Sequence, residues 1–137
     1  LLMVAVALYA ASPRVIDGDT IVVNHEHVRV LQINAPEIGT CYAEEAKQFT
    51  QKFLEQSGNL ILEPDPVLNQ EDEYGRSLRY VFKGNKNLSL ELVRNGYARP
   101  MFFNGMRGKY ANLIYKYARQ AKAQGLGLWS CRRSINE

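Results

Sequence analysis

The sequence predicts an α+β fold with about five strands and three helices, the strands mostly first. Short alternating apolar runs such as "HVRVLQI" crowd the first half, and two longer stretches repeat apolar residues at spacings of three and four. Size is the other constraint: 137 residues suit one domain whose core is just large enough to fold alone. With 46% hydrophobic and 23% charged residues, the composition excludes a disordered chain. A net charge of +3 suits a polyanionic partner without demanding one.

Taken in order, the residues from Arg14 to Ile33 read as strands. "TIVVN" is a short one. In "HVRVLQI", Val28, Val30 and Gln32 fall on one face and Arg29, Leu31 and Ile33 on the other. "NHEH" between them fits a hairpin turn, with Asn24 the residue most tolerant of positive φ, and Pro36 ends strand pairing. "TCYAEEAKQFTQKFLEQSG" reads as a helix with Ala46, Phe49 and Phe53 on its apolar stripe, Thr40 as its cap and Gly58 beyond its end. "NLILEP" is a strand stopped by Pro64, "DPVLNQEDEYG" a polar loop, and "RSLRYVF" the next strand, turned by "KGNK". Asn87 caps a short helix that Gly96 closes. The last helix spans roughly Lys109 to Gln124, with Leu113, Tyr117 and Ala121 as its stripe. Gly125 and Gly127 end it, and Trp129 packs back as an anchor.

The opening "LLMVAVALYAAS" is apolar, uncharged and ends in small residues. Residues 1–12 therefore read as the remnant of a secretory signal, too short to span a bilayer; the alternation of Val4, Val6 and Leu8 also fits a first buried strand. Cys41 and Cys131 are too far apart for a CxxC motif, and no histidine lies near either, which argues against zinc. They are two free thiols or one disulfide; export would favour the disulfide.

In "RVIDGDTIVV", Asp17 and Asp19 bracket a glycine within an apolar run, where a strand has no need of acids. Asn34 and Glu37 flank "AP" just after a long strand, Arg29 lies within that strand, and Arg76 follows "EYG". Oxygen ligands from separate strand ends suit a hard cation such as calcium. Arginines beside them match phosphate geometry with paired donors. Together these are the parts needed to hydrolyse a phosphodiester. Singly, Asp17-Gly18-Asp19 also fits a plain turn, Arg29 an outward strand residue, and "DEYGR" a tight turn with Gly75 at an unusual φ.

Five segments connect the pieces: "RVIDGDTI", "VRVLQINAPE", "EYGRSLRYVF", "LVRNGYA" and "AQGLGLWS". Over about Pro13 to Ser130 the chain resembles the staphylococcal nuclease (thermonuclease) family, with the segments in the family's order and at nearly its spacings. The resemblance implies a five-stranded OB-fold barrel with three helices in a domain of residues 13–137. It implies a calcium-dependent, sugar-nonspecific nuclease that cuts DNA and RNA to leave 3′-phosphates, prefers single strands, and acts as a secreted or periplasmic monomer free of the membrane. Under it, Asp19, Asn34 and the carbonyl of Ala35 face the metal, with Asp17 and Thr20 supporting them. Glu37 activates the attacking water, and Arg29 and Arg76 hold the phosphate and its developing charge. Tyr74 lies near the nucleotide, and Phe102 stands where a tyrosine stacks on the base, keeping the ring and losing the hydroxyl. Cys41 and Cys131 look like a cysteine pair that some members carry.

Two positions depart from the family pattern. Asn34 stands in place of a metal-ligating aspartate; its carbonyl oxygen can coordinate, but it brings no charge. After Glu37, "IGT" leads directly to Cys41 where the prototype has a longer mobile loop, so the site is expected to be more open. The alternative to a working nuclease is a catalytically weak or inactive OB-type nucleic-acid-binding domain. Against it stands Glu37, an acid that would repel phosphate in a purely binding site.

Overall fold

In the computed structural model, which describes residues 13–132, the chain begins with three strands: β1 (Arg14–Asp17), β2 (Thr20–Val23) and β3 (Glu26–Val30). The proposed signal remnant lies outside the described residues. Asn24 and His25, at φ 49° and 67°, form the two-residue turn between β2 and β3. Positive φ at both central positions matches the right-handed twist of the flanking strands. Next come β4 (Ile33–Asn34), α1 (Ala43–Glu55), β5 (Leu60–Glu63), β6 (Ser77–Lys83), β7 (Lys86–Asn87) and α2 (Leu88–Arg94). β8 (Arg99–Pro100), a 3₁₀ turn at Phe103–Gly105, α3 (Ala111–Ala123) and a second 3₁₀ turn at Gly127–Ser130 complete the chain.

The α+β class and the three helices agree with the sequence, but the five-stranded barrel does not form. Six strands share one sheet in the order β1-β2-β3-β6-β5, with β7 paired to β6, and β4 and β8 make a separate two-stranded ladder. Among the described residues no ladder joins β5 to β1, so the sheet stays open. The break originates at Gln32, whose φ of 67° ends the run "HVRVLQI" as a single strand. The chain swings out of the sheet, and Ile33–Asn34 pairs with Arg99–Pro100 instead. Leu31 and Ile33 are buried along with Val28 and Val30, so the expected two-sided alternation is lost.

The helices pack over Ile21, Val28, Val30, Val81 and Leu92, which form one apolar core with Ile114 of α3. Two details differ from the sequence reading. Tyr42, not Thr40, precedes α1, in a left-handed conformation without a side-chain cap; the Thr40 hydroxyl donates instead to the Glu37 carbonyl at 2.6 Å. On α3, Leu113 is exposed, and Ile114 and Ala118 are buried beside Ala121. Gly96 and Gly127, from two of the family-like segments, meet where the Leu128 N–H donates to the Gly96 carbonyl at 2.8 Å; a methyl group at Gly96 would overlap the Leu126 carbonyl, and one at Gly127 the Gly96 carbonyl.

Polar residues 65–75 were expected to offer little to the core, yet Asp65 is buried. Its carboxylate accepts from the Tyr80 hydroxyl at 2.6 Å, the Lys109 N–H at 2.8 Å and the Val67 N–H at 2.9 Å, tying the loop to the start of α3. Burial pushes the carboxyl up, but these hydrogen bonds outweigh it and hold it below its ordinary 3.8. A depressed acid contributes stability that is present above its unfolded pKa and lost as pH falls through the folded one. Asp65→Asn should therefore cost about 2–4 kcal/mol at neutral pH, with the gap to wild type closing below pH ~4. Urea denaturation across pH 3–7 measures this; a gap independent of pH would contradict the assignment.

Cys41, at the head of α1, is bonded to Cys131 beyond α3, with their Cα atoms 6.2 Å apart. Ninety residues separate them. Replacing both cysteines with serine should lower unfolding free energy by about 2–5 kcal/mol, read from the shift in denaturation midpoint.

Candidate functional site

The site is built on the turn from β1 to β2. A bulge at the end of β1 sets Asp17 opposite Thr20, and the Asp17 carboxylate accepts the Asp19 N–H at 3.1 Å, closing the turn around Gly18. There is no room for a side chain at Gly18: an added Cβ would lie 2.8 Å from that of Ala35 and 2.9 Å from that of Ala46. Thr50, fully buried on α1, donates to the Gly18 carbonyl at 2.7 Å. Asp17 thus serves first to fold this turn, and Thr50 holds the turn against α1.

Register then brings Arg29 to Asp19. Thr20 lies opposite Arg29 in the β2–β3 ladder, and the Val30 N–H donates to the Asp19 carbonyl at 2.9 Å. Asp19 Oδ2 accepts the Ala35 N–H at 2.8 Å and lies 3.3 Å from Arg29 Nη2; Oδ1 accepts from the Thr20 hydroxyl at 3.1 Å. Arg29 Nη1 donates to the Val30 and Ile33 carbonyls and Nη2 to Asn34 Oδ1, each at 2.9 Å. Burial pushes the Asp19 carboxyl up to about 6; Arg29 pulls it back, while Asp17 adds to the rise.

Asp17, Asp19, Thr20, Arg29, Asn34 and Ala35 thus come together. Glu37 sits just beyond, exposed, and among the described residues its carboxylate has no ion-pair partner. Arg76 is committed elsewhere. Its Nε donates to Asp72 at 2.6 Å, and its guanidinium lies 5.5 Å from the Tyr74 ring centre, which is 76% exposed. Asp72 also accepts the Tyr74 and Arg76 N–H groups, as Gly75 turns at φ 78°. Burial raises the Asp72 carboxyl, but its bonds to Arg76 and Tyr74 bring it below the ordinary range. Arg76 and Tyr74 line a groove of about 510 Å³ with His25 and His27 of the β2–β3 hairpin; neither Asp19 nor Arg29 borders it. Phe102 is half-buried with the Arg107 guanidinium 4.7 Å from its ring centre.

The oxygen donors do not fit calcium as they stand. Calcium takes six to eight oxygens, usually with several carboxylates. Here the one carboxylate touching Arg29 has both oxygens engaged, Asn34 Oδ1 is turned to Arg29, and no group of three or more His, Cys, Asp or Glu among the described residues is arranged to hold a metal.

Sequence reasoning missed Asp72 and Gln32. The acid before "EYGR" was the available signal for Asp72. Buried Gln32 accepts the Gly108 N–H at 2.8 Å and donates to the Met106 carbonyl at 3.3 Å, fixing the loop after Phe102; only its left-handed backbone, invisible in the alternation, betrays that role.

The family described as "Staphylococcal nuclease homologue" matches residues 27–131, and the chain belongs to that family. It is 33% identical over 127 residues to a thermonuclease of Staphylococcus intermedius, spanning 85% of this chain and 73% of that protein. It is 36% identical over 127 residues to the SPbeta prophage-derived endonuclease YokF of Bacillus subtilis, with the same 85% of this chain matched. It is 35% identical to endonuclease YncB of the same organism. The chain spans only 42% of YokF and 59% of YncB.

Gly18→Ala should destabilise by about 1–3 kcal/mol, because a methyl group must displace Ala35 or Ala46. Denaturant unfolding measures this, and an unchanged midpoint would show that the turn has slack.

Proposed function

We propose that this chain is a nucleic-acid-binding domain of the staphylococcal nuclease family with weak hydrolytic power, acting on single strands. The observation that carries the reading is Asn34: the position where the family pattern places a second acid holds a neutral amide, and its oxygen accepts from Arg29. Asp19 is left as the one carboxylate at the arginine, and its oxygens are taken up in holding the turn. Binding needs less. The Arg76 guanidinium is oriented by Asp72, beside an exposed Tyr74 ring on which a base or sugar can rest. The endonuclease names of the relatives support nucleic acid as the ligand. The disulfide supports an oxidising compartment outside the cytoplasm, and among the described residues no helix is long and apolar enough to cross a membrane.

A second reading, the calcium-dependent nuclease leaving 3′-phosphates, is favoured by Glu37. An exposed carboxylate with no partner is suited to orient a water, and it hinders a site that only binds phosphate.

One experiment separates the two. Labelled single-stranded DNA is followed by anisotropy for binding and by gel for cleavage, with calcium and with chelator. The proposal expects salt-sensitive binding in chelator, slow cleavage at any calcium level, and faster cleavage in Asn34→Asp. Calcium-dependent cleavage in the wild type that Glu37→Gln lowers by ~10² or more would establish the second reading instead. Absence of binding under all conditions would overturn both.

A further inference from the structure

Charge is divided unevenly along this chain. Residues 92–136 contain nine lysines and arginines and no aspartate or glutamate, while thirteen of the fourteen acids precede them. The modest net charge of +3 conceals this division. Three of the nine lie on α3, whose apolar side is set in the core by Ala111, Ile114, Ala118 and Ala121. On its outer side Tyr115, Arg119 and Lys122 follow at i, i+4 and i+7 and so share one face.

The cations on this face lie against aromatic rings. The Arg107 guanidinium is 4.7 Å from the Phe102 ring centre and 5.9 Å from that of Tyr115. Arg119 is 5.7 Å from the Tyr115 ring centre, and Lys122 Nζ is 5.4 Å from that of Trp129. Arg107 also donates to Asn112 Oδ1 at 3.0 Å. Among the described residues none of Arg107, Arg119 and Lys122 has an acidic partner, in contrast to Arg29 and Arg76. Ring contact holds each cation without neutralising it.

We propose that the outer face of α3, with Arg107 of the loop before it and then Tyr115, Arg119 and Lys122, is a second contact surface for single-stranded nucleic acid, in addition to the Tyr74–Arg76 surface of the proposed function. The inference rests on the nucleic-acid-binding reading above. Two observations favour nucleic acid over an acidic protein. Exposed rings alternate with the cations, Tyr115 at 48% and Phe103 at 67% exposure, and rings are platforms for bases as well as neighbours for phosphates. The row also starts at Phe102, just after β8, and β8 pairs with Ile33–Asn34 of β4, so the start of the row is tied to the strand that carries Asn34. The contact is sequence-independent, since it offers charge and stacking and no element that enters a groove.

The test uses the full chain and a labelled 20-nucleotide oligothymidylate, with anisotropy read from 50 to 200 mM salt in chelator. The triple variant R107Q/R119Q/K122Q should bind ~10-fold or more weakly at 100 mM salt, and the slope of log affinity against log salt should flatten by about 2. Arg119→Glu alone should weaken binding several-fold, and Tyr115→Ala should do so with the salt slope unchanged. A thymidine dinucleotide, too short to reach along α3, should bind wild type and the double variant R119Q/K122Q alike. The triple K52Q/K83Q/K86Q removes the same charge from other surfaces and should stay within twofold of wild type. Thermal unfolding checks that each variant is folded. Equal affinity in wild type and the α3 variants would overturn this surface while leaving the proposed function intact. An equal loss in both triples would reduce the effect to net charge and overturn it as well. A wild type that binds no oligonucleotide removes the underlying reading along with it.

Discussion

Asp19 and Arg29 meet with only 8% and 12% of their side chains exposed, and three pieces of chain are fastened through them. The carboxylate takes the N–H of Ala35, the guanidinium takes the carbonyls of Val30 and Ile33, and the turn that supplies Asp19 is pinned to α1 through Thr50. The departure of the chain from β3 at Gln32 is possible because Arg29 satisfies carbonyls on either side of the bend. Removing either member would strand a charge with little access to water, which costs about 3–5 kcal/mol in comparable buried pairs. A pair so placed is structural before it is anything else.

That priority shapes the chemistry. A guanidinium that holds two backbone carbonyls, an amide and a carboxylate has little freedom to follow charge as it develops on a phosphoryl group. The neutral Asn34 suits such an arrangement, accepting a hydrogen bond without adding repulsion beside Asp19, whose carboxyl is already raised by burial and by Asp17. Tyr74 and Arg76, mounted on the separate Asp72 turn, are not drawn into this knot. On the proposed reading, holding the strand and cleaving it fall to different groups, and a chain with the first capacity can lose the second without refolding.

Much of this was legible in the sequence. Hydrophobic spacing located the helices and most of the strands, and "NHEH" and "EYGR" announced turns whose φ values bear the expectation out. The five family-like segments named residues of which five gather around Asp19. The failures share a physical cause. Alternation reports which side chains are apolar, not where a backbone leaves a sheet, so the bend at Gln32 and the open sheet that accompanies it were hidden. Composition marked residues 65–75 as polar, but a single carboxylate ringed by donors is enough to bury Asp65. Periodicity on α3 likewise could not tell Leu113, facing water, from Ile114, facing the core.

The bond between Cys41 and Cys131 closes everything from the head of α1 to the turn beyond α3 into a covalent ring, leaving β1 to β4 outside it. The ring contains the exposed stretch around Val67 and Tyr74, a surface loop of the kind that proteases nick. One cut there opens the ring without releasing a fragment. The two halves remain one molecule, with β5 and β6 still paired across the nick, and the local concentration of each half around the other stays far above that of any competing partner. The polar loop is therefore a place where this protein can be damaged and still hold its shape.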